Sequence, residues 1–253
     1  MFTEERRKDI LAQLNIKSNL LVNELSDRYN VSAATIRKDL SFLEQEGFLK
    51  RTHGGAVSMR TASFEQTPLQ RASLNYESKV AIAKKGAELV DDNDTIALDA
   101  GTTTLCMVQY LLNKRNLTII TPDIKIAEGL ENSRDATVIL TGGTLRRGYD
   151  CTVGVLTNEI LSRFHVDKVF MATNAISPDG RLSTPNTEQA SVKSTLIKMA
   201  TKRILLCDKS KFNSVSLCDF GCVNDFNIII TDDMPVDSSG KFLQKHKNKI
   251  ITV

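Results

Sequence analysis

Two periodicities divide the chain. From Thr3 to about Phe48, apolar residues recur at spacings of three and four: Ile10, Leu11 and Leu14, then Val22, Leu25 and Tyr29, then Ile36, Leu40 and Leu43. The spacing predicts three short helices, each burying one face. Between the second and third, Asn30 tolerates a left-handed turn and Ser32 is a strong N-cap, so the pair reads as a helix-turn-helix. Gly47 is placed to end the third helix, and FLKRTHGGAV (48–57) predicts a strand, a Gly-Gly turn and a return strand. The outline over residues 1–57 is a winged helix.

Residues 58–76, with Ser58, Thr61, Ser63, Pro68 and Ser73, lose this periodicity and are expected to be a linker. From Glu77 onward, near-continuous apolar runs alternate with amphipathic stretches. The runs are TIALD (95–99), LTIIT (117–121), TVILT (137–141), KVFMA (168–172), RILLC (203–207), NIIIT (227–231) and KIITV (249–253). Helices are expected at 77–90, 104–113, 123–132, 154–164 and 188–201. Apolar strands separated by helices predict a larger α/β domain over 77–253, with a parallel sheet covered on both faces.

Composition narrows the class without naming a function. The 253 residues are 41% hydrophobic and 25% charged, which excludes collagenous, low-complexity and wholly disordered chains. No apolar run reaches the roughly 18 residues of a membrane span, and MFTEERRKD carries charges where a signal peptide needs apolar residues. A cytoplasmic protein with no membrane partner is expected. The five cysteines are odd in number and form no CxxC, so free thiols are expected, with no metal and no cofactor. Net charge is only +3, and residues 1–60 hold ten Lys and Arg against eight Asp and Glu. Any surface for a polyanion must therefore be local.

Local clusters do occur. With Ile36, Leu40 and Leu43 turned inward, Ser32, Ala34, Thr35, Arg37, Lys38 and Ser41 fall on or near the outer side of the third helix. Small residues at its start let a helix enter a major groove, and Arg37 and Lys38 can reach bases or phosphates. Lys50, Arg51 and His53 in the wing add candidate backbone contacts, as do Arg6, Arg7 and Lys8. Arg37 and Lys38 alone would read as a solvated helix face; the ordered set of turn, TIRKDL, Gly47 and KRTHGGA is what points to double-stranded DNA.

In the body, DAGTTT (99–104) closes a strand immediately before a helix. Its backbone N–H groups, threonine hydroxyls and helix start suit an anion equally with a plain capped turn. It is neither a GxGxxG fingerprint nor a P-loop. TGGTLRR (141–147) and CDKSKF (207–212) fall at equivalent strand ends, and such ends converge on one crevice. Lysines for a phosphate and carboxylates for hydroxyls would suit a phosphorylated sugar.

VSAATIRKDLSFLEQEGFLKRTHGGA (31–56) resembles the signature of DeoR-type bacterial transcriptional regulators. The resemblance extends over roughly residues 3–233 through DAGTTT, TGGTLR, DKVFMATNAI (167–176), Glu188 to Lys193, DKSKF and TDD (231–233). It implies a winged helix-turn-helix joined to a ribose-5-phosphate-isomerase-like parallel α/β domain. Effector contacts are implied at Lys79, Asp99, Gly101, Thr102, Thr103, Thr104, Asp208 and Lys211, with Glu188 and Lys193 as further candidates. Departures are Lys38 where many members have arginine, Ala100 where many have serine, and Thr121-Pro122-Asp123 where many have Thr-Asn. The expected function is a repressor of a carbohydrate operon whose operator affinity a sugar phosphate controls, working as a dimer or tetramer. The alternatives are a sugar-phosphate isomerase-like enzyme using Asp99, Asp208 and Glu188 with an attached DNA-binding head, and a winged-helix protein-interaction module.

Overall fold

The computed structural model describes residues 2–17, 19–58, 64–235, 245 and 247–253. They form two units, Met1–Gln66 and Thr67–Val253. The first contains α1 (Thr3–Lys17), β1 (Asn19–Leu21), α2 (Val22–Tyr29), α3 (Ala33–Gln45), β2 (Leu49–Thr52) and β3 (Gly55–Ser58). Ile10 and Leu14 of α1, Leu25 of α2, and Ile36, Leu40 and Leu43 of α3 meet in one core, closed by Leu20, Leu49 and Ala56. Burying each such side chain contributes about 1.5–3 kcal/mol. Asn30 takes the left-handed conformation between α2 and α3 (φ 50), and Gly47 does the same after α3 (φ 72). The wing is one strand larger than expected, because β1 pairs antiparallel with β3 and places Leu20 opposite Ala56. This contact requires Gly55, where a Cβ would lie 1.9 Å from the Leu20 carbonyl oxygen.

The second unit begins earlier than the expected linker allows. Residues 67–76 are folded: Thr67 and Gln70 form a reciprocal capping box on α4 (Pro68–Ser73), and α5 (Tyr76–Ala87) follows at once. The polar composition of this stretch concealed a short helix; residues 59–63 of the expected linker lie outside the described residues. The chain continues through β4 (Thr95–Leu98), α6 (Thr102–Leu105), α7 (Val108–Leu111), β5 (Leu117–Thr121), α8 (Ile124–Leu130) and β6 (Ala136–Leu140). There follow β7 (Thr144–Arg146), β8 (Cys151–Val153), α9 (Val155–Leu161), β9 (Val166–Ala172), β10 (Ala175–Ile176) and β11 (Arg181–Thr184). The unit ends with α10 (Thr187–Lys198), β12 (Ala200–Leu206), β13 (Cys218–Cys222), β14 (Ile228–Thr231) and β15 (Ile250–Thr252).

All seven apolar runs become strands of one parallel sheet, in the order β15-β14-β12-β9-β4-β5-β6. Alternate residues feed two cores. Ile96, Leu98 and Phe170 face α5, α7 and α8, while Ala97, Val169 and Met171 face α9 and α10. Two smaller sheets, β7-β8 and β10-β11-β13, are additions to the expected plan. The expected helix at 104–113 is two short helices, and that at 188–201 ends at Lys198, before β12 begins at Ala200. No helix among the described residues is long and apolar enough to cross a membrane. Succession along the chain reverses at β4, which has β5 on one side and β9 on the other. In open α/β sheets ligands bind outside the carboxyl ends of strands at such a switch point.

Candidate nucleic-acid interface and anion cleft

In the first unit Ser32 caps α3, its Oγ accepting the Thr35 N–H at 3.2 Å and lying 2.9 Å from Thr35 Oγ1. These two hydroxyls therefore fix the helix start. Ala34, Arg37 and Lys38 are exposed beyond it, and neither cation is held in an ion pair among the described residues. Ser41 and Arg51 are tied together: the Arg51 guanidinium donates to Ser41 Oγ, and its backbone N–H donates to Glu44 Oε1 at 2.8 Å. The wing is thus latched to α3, with Lys50 and His53 exposed along it.

The expected contribution of Arg6 and Arg7 to a DNA surface is corrected. Arg6 Nε donates to Asp39 Oδ2 at 2.7 Å and Arg7 Nε to Asp39 Oδ1 at 2.8 Å, with Asp39 buried. Arg7 also lies 3.8 Å from the centre of the Phe42 ring. Both arginines clamp α1 across α3. The Lys8 side chain lies outside the described residues.

In the second unit the ends of β4 and β9 are stitched together by a carboxylate. Asp99 N–H donates to Phe170 O at 3.0 Å, and Asp99 Oδ2 accepts the Ala172 N–H at 3.0 Å and a bond from Lys193 Nζ. Lys193 also donates to Ala172 O at 2.9 Å. This ion pair is 1% exposed on both sides. Gly101 sits where a Cβ would lie 2.9 Å from that of Ala172, so only glycine lets the loop pass this close to β9. Thr104 Oγ1 lies 2.7 Å from Asp99 O and 2.8 Å from Gly101 O, holding the loop from beneath.

Above this floor runs a cleft. One end is lined by Lys79, Thr103, Thr173, Asn174, Lys193 and Lys211. The other is lined by Asp123, Lys125, Tyr149, Asp150 and Gln189, with Arg71, Ala100, Gly101 and Thr102 common to both. Of the expected effector contacts, Lys79, Gly101, Thr102, Thr103 and Lys211 come together here. Asp99, Thr104 and Asp208 do not reach the lining. Asp208 is fully buried: its Oδ1 accepts Ser210 N–H (3.0 Å), Ser210 Oγ–H (2.5 Å) and Asn75 Nδ2–H (2.9 Å), and its Oδ2 lies 3.9 Å from Lys211 Nζ. It positions Lys211.

On α10 the residue turned to the cleft is Gln189, while Glu188 is exposed; Lys193 follows Gln189 at helical i,i+4 spacing. The TGGTLRR segment contributes little directly. Arg146 donates to Gln189 Oε1 at 2.7 Å and stacks 3.7 Å from the Tyr149 ring centre. Arg71 is first identified by the fold, and Thr173, Asn174, Gln189 and Asp123, which lay within quoted segments, are first placed at the cleft by it. The i,i+4 spacing of Gln189 and Lys193 on α10 is the sequence signal that could have placed Gln189.

The burial of charge here sets protonation. Burial lowers Lys79 to about 8, Lys211 adding to the effect against the pull of Asp208. Its Nζ donates to the carbonyls of Arg71 and, at 2.6 Å, Leu74, so one of its three donors remains for the cleft. Burial works to raise the Asp208 carboxyl, but Lys211, Ser210 and Lys79 together hold it below its usual range. Burial pushes Asp123 up to about 6, against the N–H groups of Ile126, Lys125 and Gly101 and with help from the Asp99 charge.

Between pH 4 and 6 the folded chain binds more protons at Asp123 than the unfolded chain, so that group's contribution to stability falls as pH rises. Between pH 8 and 10.5 the unfolded chain binds more at Lys79, so stability rises. Each window is worth on the order of 3 kcal/mol. Urea unfolding across pH 4–6 is expected to show wild type losing stability relative to Asp123→Asn as pH rises; parallel curves would contradict the assignment.

Residues 6–62 match the family model for the DeoR-like helix-turn-helix domain, and residues 74–233 match that for the DeoR C terminal sensor domain. The chain is 34% identical to the uncharacterized HTH-type transcriptional regulator FruR of Bacillus subtilis (strain 168), over 92% of both chains. It is 33% identical to the transcriptional repressor AccR of Agrobacterium fabrum, over 91% of this chain and 90% of that protein. Among solved structures, ribose 5-phosphate isomerase A of Methanocaldococcus jannaschii is similar at a TM-score of 0.41, with 17% identity over 55% of each chain. An exposed, cation-bearing α3 on a helix-turn-helix, a cleft at the switch point of a parallel sheet, and family matches spanning both units lead to one assignment: the chain belongs to the DeoR family of helix-turn-helix transcriptional regulators.

Proposed function

We propose that the protein represses a carbohydrate operon by binding double-stranded operator DNA, and that a phosphorylated sugar in the cleft controls that binding. The observation that carries the effector reading is the convergence of Lys79, Lys193 and Lys211 from three separate elements on the Gly101–Thr103 loop. Lysine ammonium groups and loop hydroxyls meeting at one point suit a phosphate. The carboxylates that an isomerase would need, Asp99 and Asp208, lie behind these lysines, which favours binding over catalysis.

On the DNA side, Ala34 leaves room for close approach and Arg37 and Lys38 supply the reach, with Lys50 and Arg51 on the flanking backbone. Pairing of heads in a homo-oligomer would multiply weak single-site binding. Control requires the ligand to favour one arrangement of the protein over another. Arg71 supports such a route: it lines the cleft and belongs to α4, the first element of the second unit.

A ligand bound only by the folded state raises its apparent stability, by about 2.7 kcal/mol at a hundredfold excess over Kd. Inorganic phosphate and a panel of pentose and hexose phosphates are therefore expected to raise the melting temperature of wild type, and Lys211→Ala is expected to lose most of the shift. Equal shifts in both chains would remove the phosphate from this cleft.

A further inference from the structure

The cleft is electrically lopsided. At the end holding Lys79, Lys193 and Lys211, no carboxylate reaches the lining among the described residues. At the opposite end the lining carries Asp123 and Asp150; of the cations there, Lys125 is turned to Glu128 at 2.7 Å on its own helix, and Arg146, which is not part of the lining, is engaged with Gln189 Oε1 and the Tyr149 ring. Negative charge prevails at that end. Arg71 lies between the two ends and lines both.

Asp123 is held rigidly. It is 5% exposed, and its Oδ1 accepts the N–H groups of Lys125 (2.8 Å) and Ile126 (3.0 Å) as the cap of α8. Its own N–H donates to Thr121 Oγ1 at 3.1 Å, and its backbone bridges to Cys151. A side chain anchored on both sides cannot swing away from an unwelcome ligand. Its pKa of about 6 leaves it charged at pH 7.5. An ionised carboxylate only accepts hydrogen bonds, so it takes a hydroxyl or an ammonium and repels a second anion.

Resting on the reading of the cleft as a phosphate site, the geometry points to Asp123 as a specificity-determining residue. It restricts the effector to a sugar monophosphate whose other groups are neutral hydroxyls or an amine, and it excludes bisphosphates and phosphorylated sugar acids. With the phosphate at the lysine end, the far end of the sugar faces Asp123, where a second phosphate or a carboxylate would meet two carboxylates and would have to share Arg71 with the first phosphate. Gln189 beside it, its Oε1 already accepting from Arg146, presents its amide donors to ligand oxygens.

The test is calorimetric titration of the full chain at pH 7.5 with inorganic phosphate and with matched pairs: pentose and hexose monophosphates against their bisphosphates, and glucose 6-phosphate against 6-phosphogluconate. Asp123→Asn and Asp123→Ser are compared with wild type, since both replacements keep a capping oxygen; melting without ligand checks their folding. In wild type, every monophosphate that binds is expected to bind at least about tenfold more tightly than its doubly anionic counterpart, and in both variants the ratio is expected to fall to within about threefold. A bisphosphate bound by wild type as tightly as its monophosphate would overturn the inference, as would discrimination that persists in the variants. Failure of inorganic phosphate and every sugar phosphate to bind wild type would overturn the phosphate reading itself, a different result from unselective binding.

Discussion

Replacing Asp39 with alanine is expected to unfold the DNA-binding unit while the sensor unit survives. Asp39 is the shared counter-charge of Arg6 and Arg7, and removing it leaves the Arg6 guanidinium buried without its carboxylate. Breaking a buried pair from one side costs about 3–5 kcal/mol, comparable to the whole stability of so small a unit. Calorimetry is expected to show the first unit's transition lost or shifted sharply down and the second unchanged. An unaltered first transition would mean that the clamp contributes little. Two exposed arginines reaching for phosphates predict a different result: Arg6→Ala and Arg7→Ala would then reduce DNA binding and its salt dependence without lowering stability.

The second large effect is expected at Lys193. Lys193→Met leaves Asp99 charged, buried and unpaired, again at a cost of about 3–5 kcal/mol. Replacing both partners by neutral groups of similar size is much less costly, because no unpaired charge remains. The Asp99→Asn/Lys193→Met double variant is therefore expected to recover most of the lost stability. Its phosphate binding is expected to stay absent, since the lysine end has lost one of its cations. A double variant as unstable as Lys193→Met alone would show that the pair is not coupled; one that binds phosphate normally would show that Lys193 serves only the fold.

These two ion-pair sites also mark where sequence reading stopped. Arg6 and Arg7 look like a basic patch because their counter-charge lies more than thirty residues away on α3. Lys193 was a candidate only through the resemblance, and its buried pairing with Asp99 appears only when α10 is laid across the ends of β4 and β9. The parallel sheet was legible because strands buried on both faces are written as unbroken apolar runs, visible within five residues. The small sheet β10-β11-β13 was not: β11 reads RLST, and its pairing with β13 spans nearly forty residues and slips register between Leu182 and Ser183. The lysine end of the cleft was partly legible from local spacing, since DAGTTT and KSK supply several of its lining residues. Its opposite end is assembled from α4, the start of α8, the loop before β8 and α10, and no local pattern announces such a meeting.

Control of the DNA-binding unit by the cleft is read out most directly by the ligand dependence of DNA affinity in the intact protein. A duplex enriched by the full chain from a random pool is titrated by fluorescence anisotropy, with and without a sugar monophosphate shown by calorimetry to bind. The ligand is expected to shift the DNA Kd by about 5–150-fold, Arg37→Ala to lose preference for the selected duplex, and Lys211→Ala to bind DNA but ignore the ligand. An unchanged DNA Kd with the cleft saturated would contradict this control.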